Sequence, residues 1–274
     1  MRKIIFVSLL FISASAFAQT KVMTYNLRNS HAADGVNAWN KRRDALAAVI
    51  KKVNPDILGV QEAYTNQVKD LKARLKEYKY YGVGRNDGKN AGERSAVFFK
   101  EQKYTQLDGG NFWLSTTPGV PGSKSWDAAL TRICSWVKLQ EKSTGKIFFV
   151  FNTHFDHKGV QARNNSAELI RHFVDSLAGN NPVMVIGDFN STPKDLAYKT
   201  MTTPGNHKVT FSDSYSSDMP DYTDCGFNVS NTHCNRIDYI FYSQHYTKSH
   251  YTLYTDNNGT YYPSDHLTIS VELN

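Results

Sequence analysis

The stretch VMVIGDFNSTP, residues 183–193, contains the pattern on which the prediction of the fold depends. Four apolar residues run into Gly187, and the chain then presents Asp188 and Asn190 before a Ser-Thr-Pro break. A short apolar run bounded by turn residues is typical of a buried strand. The Asp and Asn could simply close a turn by bonding nearby amides. They could also belong to a site, because ligands gather at the carboxyl ends of strands in α/β folds.

Helical and strand-like segments alternate along the rest of the chain. Apolar residues at helical spacing predict helices over 37–53, 65–78 and 161–177, and a shorter helix near 195–201. Strand-like segments are more numerous and include KVMTYNL, DILGVQE, ERSAVFFK, GKIFFVFNTHF, RIDYIFYS and LTISVEL. We find no repeat, low-complexity tract or linker. The prediction is therefore one α/β domain in which two packed sheets carry helices on their outer faces.

Residues 1–18 have the features of a secretory signal peptide. A positively charged start precedes a short apolar run, and small residues lead to Ala16-Phe17-Ala18, an A-x-A cleavage site. A buried first strand or a membrane anchor are the alternatives, but the run is too short to span a bilayer comfortably. We predict export to the periplasm or the medium, with a mature domain of residues 19–274 and no stable membrane anchor.

Net charge and cysteine content restrict the function only weakly. The formal charge of +7 suits an anionic substrate, but secreted proteins are often basic for solubility alone, and no dense Lys/Arg stripe marks a nucleic-acid groove. Cys225 and Cys234 flank a short polar segment that a disulfide could close in an exported protein, with free thiols as the alternative. Cys134 lies in an alternating segment and is expected to be buried and unpaired.

Polar residues recur at or near the ends of six strand-like segments. Taken singly, each has an ordinary explanation as a turn former, a surface acid or a salt-bridge partner, for example Asp238 with Arg236. Together they repeat one pattern, a hard oxygen ligand or a histidine at a strand terminus, which indicates convergence on one site. The residues are Asn26, Glu62, His154 with Asp156, Asp188 with Asn190, Asp238, and Asp265 with His266.

This combination of side chains suits hydrolysis of a phosphate ester assisted by a divalent cation. Mg²⁺ prefers carboxylate and amide oxygens and keeps some water, and it neutralises charge on the transferred phosphoryl group. A nearby carboxylate or histidine can align and deprotonate the attacking water. The sequence has no G-x-S-x-G elbow, no C-x-x-C ribbon and no H-E-x-x-H motif, and its histidines lack the close spacing of a zinc site.

The motifs QE, TH, GDFN, RIDY and SDH, in this order after Asn26, resemble the endonuclease/exonuclease/phosphatase (deoxyribonuclease-I-like) superfamily over residues 21–272. The resemblance implies a four-layer α/β sandwich, with two packed, mostly antiparallel sheets flanked by helices and the site at one edge. It also implies dependence on Mg²⁺ or Mn²⁺. Segments such as GRNDGKNAGERSAVFF and NTHFDHKGVQAR are similar to an exported bacterial subgroup, whose core is similar to the deadenylase-like members.

The resemblance also implies roles for the metal-binding and water-orienting residues. Glu62 matches the main metal carboxylate, and Asn26 and Asp265 match supporting ligands of the metal or of its water. Asp188 and Asn190 match the pair that orients the attacking water and the phosphate.

Two histidines complete the catalytic set that the resemblance implies. His266 matches the phosphate-facing histidine, and Asp238 is expected to hold its tautomer through a hydrogen bond. His154 matches a second histidine that serves as general acid or phosphate contact. Glu93 resembles the acid that partners this histidine in the secreted deoxyribonuclease and sphingomyelinase branches.

Glu93 is also one of four candidates for substrate binding. Arg132 resembles a phosphate-contacting arginine, since a planar fork suits a phosphodiester. A surface ion pair is the alternative for both Glu93 and Arg132, and Asp156 has a structural alternative as well. Trp126, at the end of the long segment 111–126, could stack on a base or a sugar ring.

The predicted function is that of an exported, monomeric, divalent-metal-dependent phosphoesterase acting on phosphodiester bonds of nucleic acid or a nucleotide. A phosphatase or phosphodiesterase acting on phospholipid, inositol phosphate or sugar phosphate is the nearest alternative. A non-catalytic exported binding module on the same fold is an alternative of another class. That class predicts broken metal ligands, and the strongest ligand positions are intact.

Overall fold

The computed structural model describes residues 19–274, so the predicted signal peptide lies outside the described residues. The helices are α1 (Trp39–Val53), α2 (Thr65–Arg74), α3 (Val160–Leu177) and α4 (Leu196–Thr202), and a 3-10 turn at Gly35–Asn37 precedes α1. The strands are β1 (Thr20–Asn26), β2 (Ile57–Ala63), β3 (Tyr78–Tyr81), β4 (Arg94–Lys100), β5 (Tyr104–Trp113), β6 (Ile133–Glu141), β7 (Ile147–His154), β8 (Val183–Asp188), β9 (Phe211–Asp213), β10 (Asp238–Ser243), β11 (Lys248–Tyr254) and β12 (Thr268–Leu273).

Two six-stranded sheets form the centre of the protein. Sheet I has the order β11-β12-β1-β2-β4-β3, and sheet II has the order β5-β6-β7-β8-β10-β9. The pairs β1–β2 and β7–β8 are parallel, whereas the other neighbours are antiparallel. In each parallel pair the polar strand ends lie side by side, with Asn26 opposite Gln61 and His154 opposite Asp188.

Three apolar layers separate the helices and the sheets. One core lies between the sheets and includes Val22, Ile57, Ile186 and Ile240. A second core packs α1 and α2 on the outer face of sheet I, and a third packs α3 and α4 on the outer face of sheet II. Strands buried on both faces read as continuous apolar runs, which explains the composition of β8. The predicted α/β sandwich of two packed, mostly antiparallel sheets flanked by helices is confirmed.

The predicted helices differ from the observed ones mainly at their ends. The helix predicted from residue 37 begins at Trp39, because a 3-10 turn occupies Gly35–Asn37. The helix predicted to end at residue 78 ends at Arg74, because Tyr78 already pairs with Lys100 as the first residue of β3. The short strand β9 was not predicted, since three residues are too few to show a period.

Gln61 and Asn152 join the two sheets at the end where the polar residues gather. The Gln61 amide donates to Asn152 Oδ1 at 2.7 Å, and Asn152 Nδ2 donates to the carbonyls of Val60 at 3.0 Å and Ala96 at 2.8 Å. Gly59 allows this approach, because a Cβ there would lie 2.9 Å from Asn152 Oδ1. Buried amides need such partners, and these bonds hold the ends of β2 and β7 at a fixed separation.

Two further observations on residues 19–274 concern the cysteines and the helices. Cys225 and Cys234 form a disulfide, and Cys134 is free and buried, as expected. None of the helices in this range combines the length and apolar composition needed to cross a bilayer.

Candidate active site

The polar residues predicted from the strand ends converge at one edge of the paired sheets. A cavity of about 280 Å³ opens there. Asn26 and Asp238 are buried next to it and are hydrogen-bonded to residues that line it. The predicted residues in its lining are Glu62, Glu93, Arg132, His154, Asp188, Asn190 and His266.

The Asp188 carboxylate is the centre of the contacts in this site. Its Oδ1 accepts the backbone N–H of Asn190 at 2.9 Å, and its Oδ2 accepts the Asn26 amide at 3.0 Å. The same Oδ2 lies 3.3 Å from Nε2 of His154 and 3.9 Å from Nε2 of His266. Asp188 therefore links residues delivered by β1, β7, β8 and the segment before β12.

The local backbone explains how β8 presents this carboxylate. Gly187 has a φ of 140°, and a Cβ at that position would lie 2.0 Å from the carbonyl oxygen of Thr153 on the adjacent strand. Only glycine fits this close approach. Burial, together with the neighbouring Asp238 carboxylate, raises the pKa of Asp188 above its ordinary value. Asp188 can therefore exchange a proton more readily near neutral pH than an ordinary aspartate.

The surroundings shift the pKa values of the two histidines in opposite directions. Burial acts to lower the pKa of His266, but Asp238, bonded to its Nδ1 at 2.8 Å, and Asp188 outweigh burial and hold that pKa well above the ordinary value. Burial, reinforced by Arg132, lowers the pKa of His154 well below the ordinary value. One charged and one neutral imidazole at the same carboxylate provide a proton donor and a proton acceptor.

Glu62 is presented by an irregular end of β2. Its φ is 59°, and the pairing of β2 with β4 changes register between Val60 and Ala63. Oε1 accepts the Asn26 amide at 3.2 Å, and Oε2 accepts the backbone and side-chain N–H groups of Asn29 at 2.8 and 3.0 Å. Burial acts to raise the pKa of Glu62, but these bonds and His266 outweigh it, so the group stays ionised.

The donor set fits a hard divalent cation. Asp188, Asp238 and His266 each place one oxygen or nitrogen atom within 4.8 Å of the others, but a protonated His266 has no free nitrogen to bind a metal, so the carboxylates are the ligands. The buried Oδ1 of Asp238 has no hydrogen-bond partner in the described chain, and Glu62 adds an ionised carboxylate. Carboxylate oxygens are the ligands that Mg²⁺ and Mn²⁺ prefer.

Asn26 and Asp265, the two predicted supporting ligands of the metal or of its water, differ in how well their positions suit that role. The Asn26 amide bridges Glu62 and Asp188, and its Oδ1 accepts the backbone N–H of Arg28 at 2.9 Å, so here it orients the two carboxylates. Asp265 is near Glu62 but lies outside the cavity lining, with its Oδ2 at 3.5 Å from Arg28. Burial raises the pKa of Asp265.

Arg132 lines the cavity and has one unsatisfied donor. The side chain is only 4% exposed, and its Nη1 has no hydrogen-bond partner among residues 19–274. Its Nη2 donates to Nδ1 of His157 at 3.1 Å, and its Nε lies 3.5 Å from Asp156. A buried guanidinium with a free donor is well suited to an anion.

Asp156 and Trp126, two of the predicted substrate-binding residues, lie outside the cavity lining. Asp156 is 1% exposed, and its carboxylate accepts four backbone N–H groups that belong to Ala129, Leu130, Lys158 and Gly159. It therefore fixes two loops beside the cavity. Trp126 lies outside the cavity lining. The reason is that its neighbour Asp127 bonds the first N–H groups of α3, Gln161 and Ala162, which draws this turn to the helix.

Glu93 was predicted to pair with His154. It lines the cavity but makes no hydrogen bond to that histidine. Its carboxylate accepts a hydrogen bond from Arg85 Nη1 at 2.6 Å, and Nδ1 of His154 has no partner in the described chain. The physical reason is that Arg85, on the preceding loop, supplies a charged donor that outcompetes a neutral imidazole. Burial nevertheless raises the pKa of Glu93.

Besides the apolar residues Leu130 and Ile237, four polar residues of the lining were missed in the sequence: Arg28, Asn29, His157 and Asp224. Arg28, Asn29 and His157 lie within three residues of predicted site residues, and this proximity was the only signal for them. Asp224 precedes Cys225, and no motif marks it. All four lie on connecting segments, whose positions depend on packing rather than on a local pattern.

The fold and the residues of the site agree with the family to which the sequence is assigned. The chain belongs to the endonuclease/exonuclease/phosphatase family, whose model matches residues 23–266.

Solved structures with this fold include two from Bacteroides. The endonuclease/exonuclease/phosphatase of Bacteroides vulgatus is 37% identical, with a TM-score of 0.88 over 94% of this chain and 99% of that one. A mannosyl-6-phosphatase of Bacteroides thetaiotaomicron is 37% identical, with a TM-score of 0.83 over 93% and 99%. Human Nocturnin is 26% identical over 84% of this chain and 57% of its own length. The chain thus spans little more than half of that relative.

Proposed function

We propose that this protein is an exported, monomeric, divalent-metal-dependent phosphatase that hydrolyses a phosphomonoester of a small organic molecule by direct attack of water. Membership of a family of phosphate-ester hydrolases supports the reaction class. The observation that carries the narrower proposal is the free Nη1 of buried Arg132, in the same cavity as the protonated His266.

Phosphomonoesters are favoured because the cavity is compact and presents three cationic or basic side chains to an anion. The cavity of about 280 Å³ suits a phosphoryl group with a small substituent. Its lining includes Arg28 and Arg132 as well as His266, and a monoester carries more negative charge than a diester. No dense run of Lys or Arg in the sequence provides an extended path for a nucleic-acid backbone. The 37% identity with a mannosyl-6-phosphatase supports the same choice.

Glu62 would hold the cation with Asp265 in support, and the Asn26 amide orients the carboxylates of Glu62 and Asp188. When bound, Mg²⁺ or Mn²⁺ supplies positive charge that stabilises the phosphoryl oxygens and the leaving oxygen. The buried, unpartnered Oδ1 of Asp238 faces no protein donor, which supports a positive group in its neighbourhood.

The chain's own residues supply the proton transfers. Asp188, whose pKa is raised, accepts a proton from the attacking water, which Asn190 helps to align. His266 is protonated and donates from Nε2 to a phosphoryl oxygen while Asp238 holds its Nδ1. Arg132 binds a second phosphoryl oxygen through Nη1. His154, neutral in the free protein, contacts the remaining oxygen or the leaving group.

Export is supported by the Cys225–Cys234 disulfide, because disulfides persist in oxidising compartments. Expression of the full chain in a bacterium, with mass analysis of the protein from periplasm and medium, tests this part. We expect a mature protein that starts at Gln19. An uncleaved chain that stays in the cytoplasm would contradict export.

Hydrolysis of matched esters tests the catalytic proposal. Purified residues 19–274 are assayed with p-nitrophenyl phosphate and bis(p-nitrophenyl) phosphate, in Mg²⁺, in Mn²⁺ and in excess chelator. We expect a kcat/KM at least tenfold higher for the monoester and a loss of activity in chelator that the metal restores. A preference for the diester, or for DNA or RNA, would replace the phosphatase by the nuclease alternative. Activity untouched by chelator would exclude metal dependence.

A further inference from the structure

We propose that Asp224 selects the leaving group of the substrate and that this group is a neutral polyhydroxylated alcohol, such as a sugar. The inference rests on the proposed phosphatase function and adds the substrate class. It starts from an anomaly. A cavity suited to a phosphate anion also contains a carboxylate that no other part of the site requires.

The Asp224 carboxylate is free of protein partners. Asp224 lines the cavity, yet within residues 19–274 no hydrogen bond and no ion pair engages its carboxylate oxygens. It is also outside the group formed by Asp188, Asp238 and His266, whose polar atoms lie within 4.8 Å of one another. A carboxylate near a phosphate site weakens phosphate binding unless it interacts with another part of the ligand.

The main chain holds Asp224 in a fixed position. Its N–H donates to the carbonyl of Asn235 at 2.9 Å, and the N–H of Asn235 donates back at 3.0 Å. An isolated β-bridge joins Asp224 to His266, and the next residue, Cys225, donates to the carbonyl of Asp265 at 3.2 Å. The Cys225–Cys234 disulfide then closes the loop. The disulfide thus helps to place a carboxylate beside the histidine that faces the phosphate.

The chemistry of an ionised carboxylate restricts the ligand. A carboxylate accepts hydrogen bonds and donates none, so it binds hydroxyl groups, and its two oxygens can receive two neighbouring hydroxyls. A second phosphate or carboxylate on the leaving group would be repelled. Nucleotides with further phosphates and nucleic-acid chains are therefore disfavoured at this position.

Two apolar residues in the same lining complete a surface for a sugar. Leu130 and Ile237 both line the cavity, and Leu130 is 42% exposed. A sugar ring presents hydroxyls at its edge and C–H groups on its faces, so it can contact Asp224 and these side chains together. The geometry does not distinguish one hexose from another.

Exchange of Asp224 for asparagine tests the inference with little risk to folding, because no protein group bonds the side chain. The substrates are a hexose 6-phosphate, a hexose 1,6-bisphosphate and p-nitrophenyl phosphate, which lacks hydroxyls on its leaving group. Asp218→Asn is the control, since Asp218 is exposed on the same segment and lies outside the cavity lining. Asp224→Ser is a second variant, and the melting temperature reports folding.

We expect Asp224→Asn to lower the ratio of kcat/KM for hexose 6-phosphate to that for p-nitrophenyl phosphate by about 10- to 100-fold, the range for a hydrogen bond to a charged group. The preference for the monophosphate over the bisphosphate should also fall, and Asp218→Asn should change neither ratio. A ratio within twofold of the parent would overturn the inference, as would an equal loss on all substrates, which indicates a catalytic role.

The parent protein separates this inference from the proposed function. If it hydrolyses p-nitrophenyl phosphate with metal but does not prefer a hexose phosphate to the bisphosphate, the leaving-group inference is wrong and the phosphatase function stands. If it hydrolyses no phosphomonoester, the proposed function is wrong, and the inference is wrong with it.

Discussion

Asp156→Ala should destabilise the protein strongly, because four backbone N–H groups converge on its carboxylate. The donors are 3.1, 3.0, 3.0 and 2.8 Å away, and Arg132 Nε lies at 3.5 Å. The N–H of Gly159 and the guanidinium are buried, so each loses its partner at about 1–3 kcal/mol. The other three donors are partly buried and can recruit water. The free energy of unfolding should fall by about 3–5 kcal/mol in Asp156→Ala. It should fall by about 2 kcal/mol in Asp156→Asn, because asparagine keeps one acceptor.

The same prediction has a pH signature. Burial acts to raise the pKa of Asp156, but the hydrogen bonds from Gly159 and its neighbours outweigh it and hold that pKa well below the ordinary value. A depressed folded-state pKa gives stability that is fully present above the unfolded pKa of about 3.9 and is lost as the pH falls through the folded value. The difference between parent and Asp156→Ala should therefore be constant from about pH 8 to 5 and shrink below about pH 4.

Urea unfolding followed by tryptophan fluorescence at pH 7, 5, 4 and 3.5 measures both effects. Asp44→Ala is the control, because Asp44 is 76% exposed and pairs with Arg74 at the surface, where the loss should be far smaller than for Asp156→Ala. A loss below about 1 kcal/mol for Asp156→Ala at pH 7 would refute the structural role, and so would a difference that grows on acidification.

Three further predictions concern Gly187 in β8, the pair formed by His266 and Asp238, and the cysteines. Gly187→Ala should cost several kcal/mol, because its Cβ would lie 2.0 Å from a carbonyl oxygen of the next strand; a melting temperature equal to the parent's would contradict this. Asp238→Asn should lower kcat about 100-fold or more with little change in melting temperature, since His266 loses its charged partner; unchanged kcat would remove Asp238 from the site. Alkylation of the denatured, unreduced protein should label Cys134 alone, and labelling at three cysteines would exclude the disulfide.

The strand-end residues were predictable because a local pattern marks each one. An apolar run followed at once by Asp188 and Asn190, or broken by Asp238, places a polar group where the strand meets the sheet edge. In a two-sheet sandwich with parallel central pairs, such edges meet. Convergence at one cavity followed from the fold, and the pairing of His266 with Asp238 has the geometry expected from the resemblance.

The residues of the connecting segments were not predictable in the same way. Glu93 pairs with Arg85 rather than His154, because the loop between them folds back and brings the guanidinium within 2.6 Å. Asp156 has the spacing of a site residue, yet two loops surround it with N–H groups. Asp224 depends on a disulfide and on bridges formed only in the folded chain. No periodicity in the sequence encodes these contacts.

We infer that side chains from separate strand ends form one divalent-cation site facing a phosphate. Anomalous diffraction from crystals of residues 19–274 soaked with Mn²⁺ and inorganic phosphate is the decisive test. We expect a manganese peak bonded to a Glu62 carboxylate oxygen, and phosphate within hydrogen-bond distance of His266 Nε2 and Arg132 Nη1. Manganese bound only at another surface, or phosphate that avoids this cavity, would contradict it.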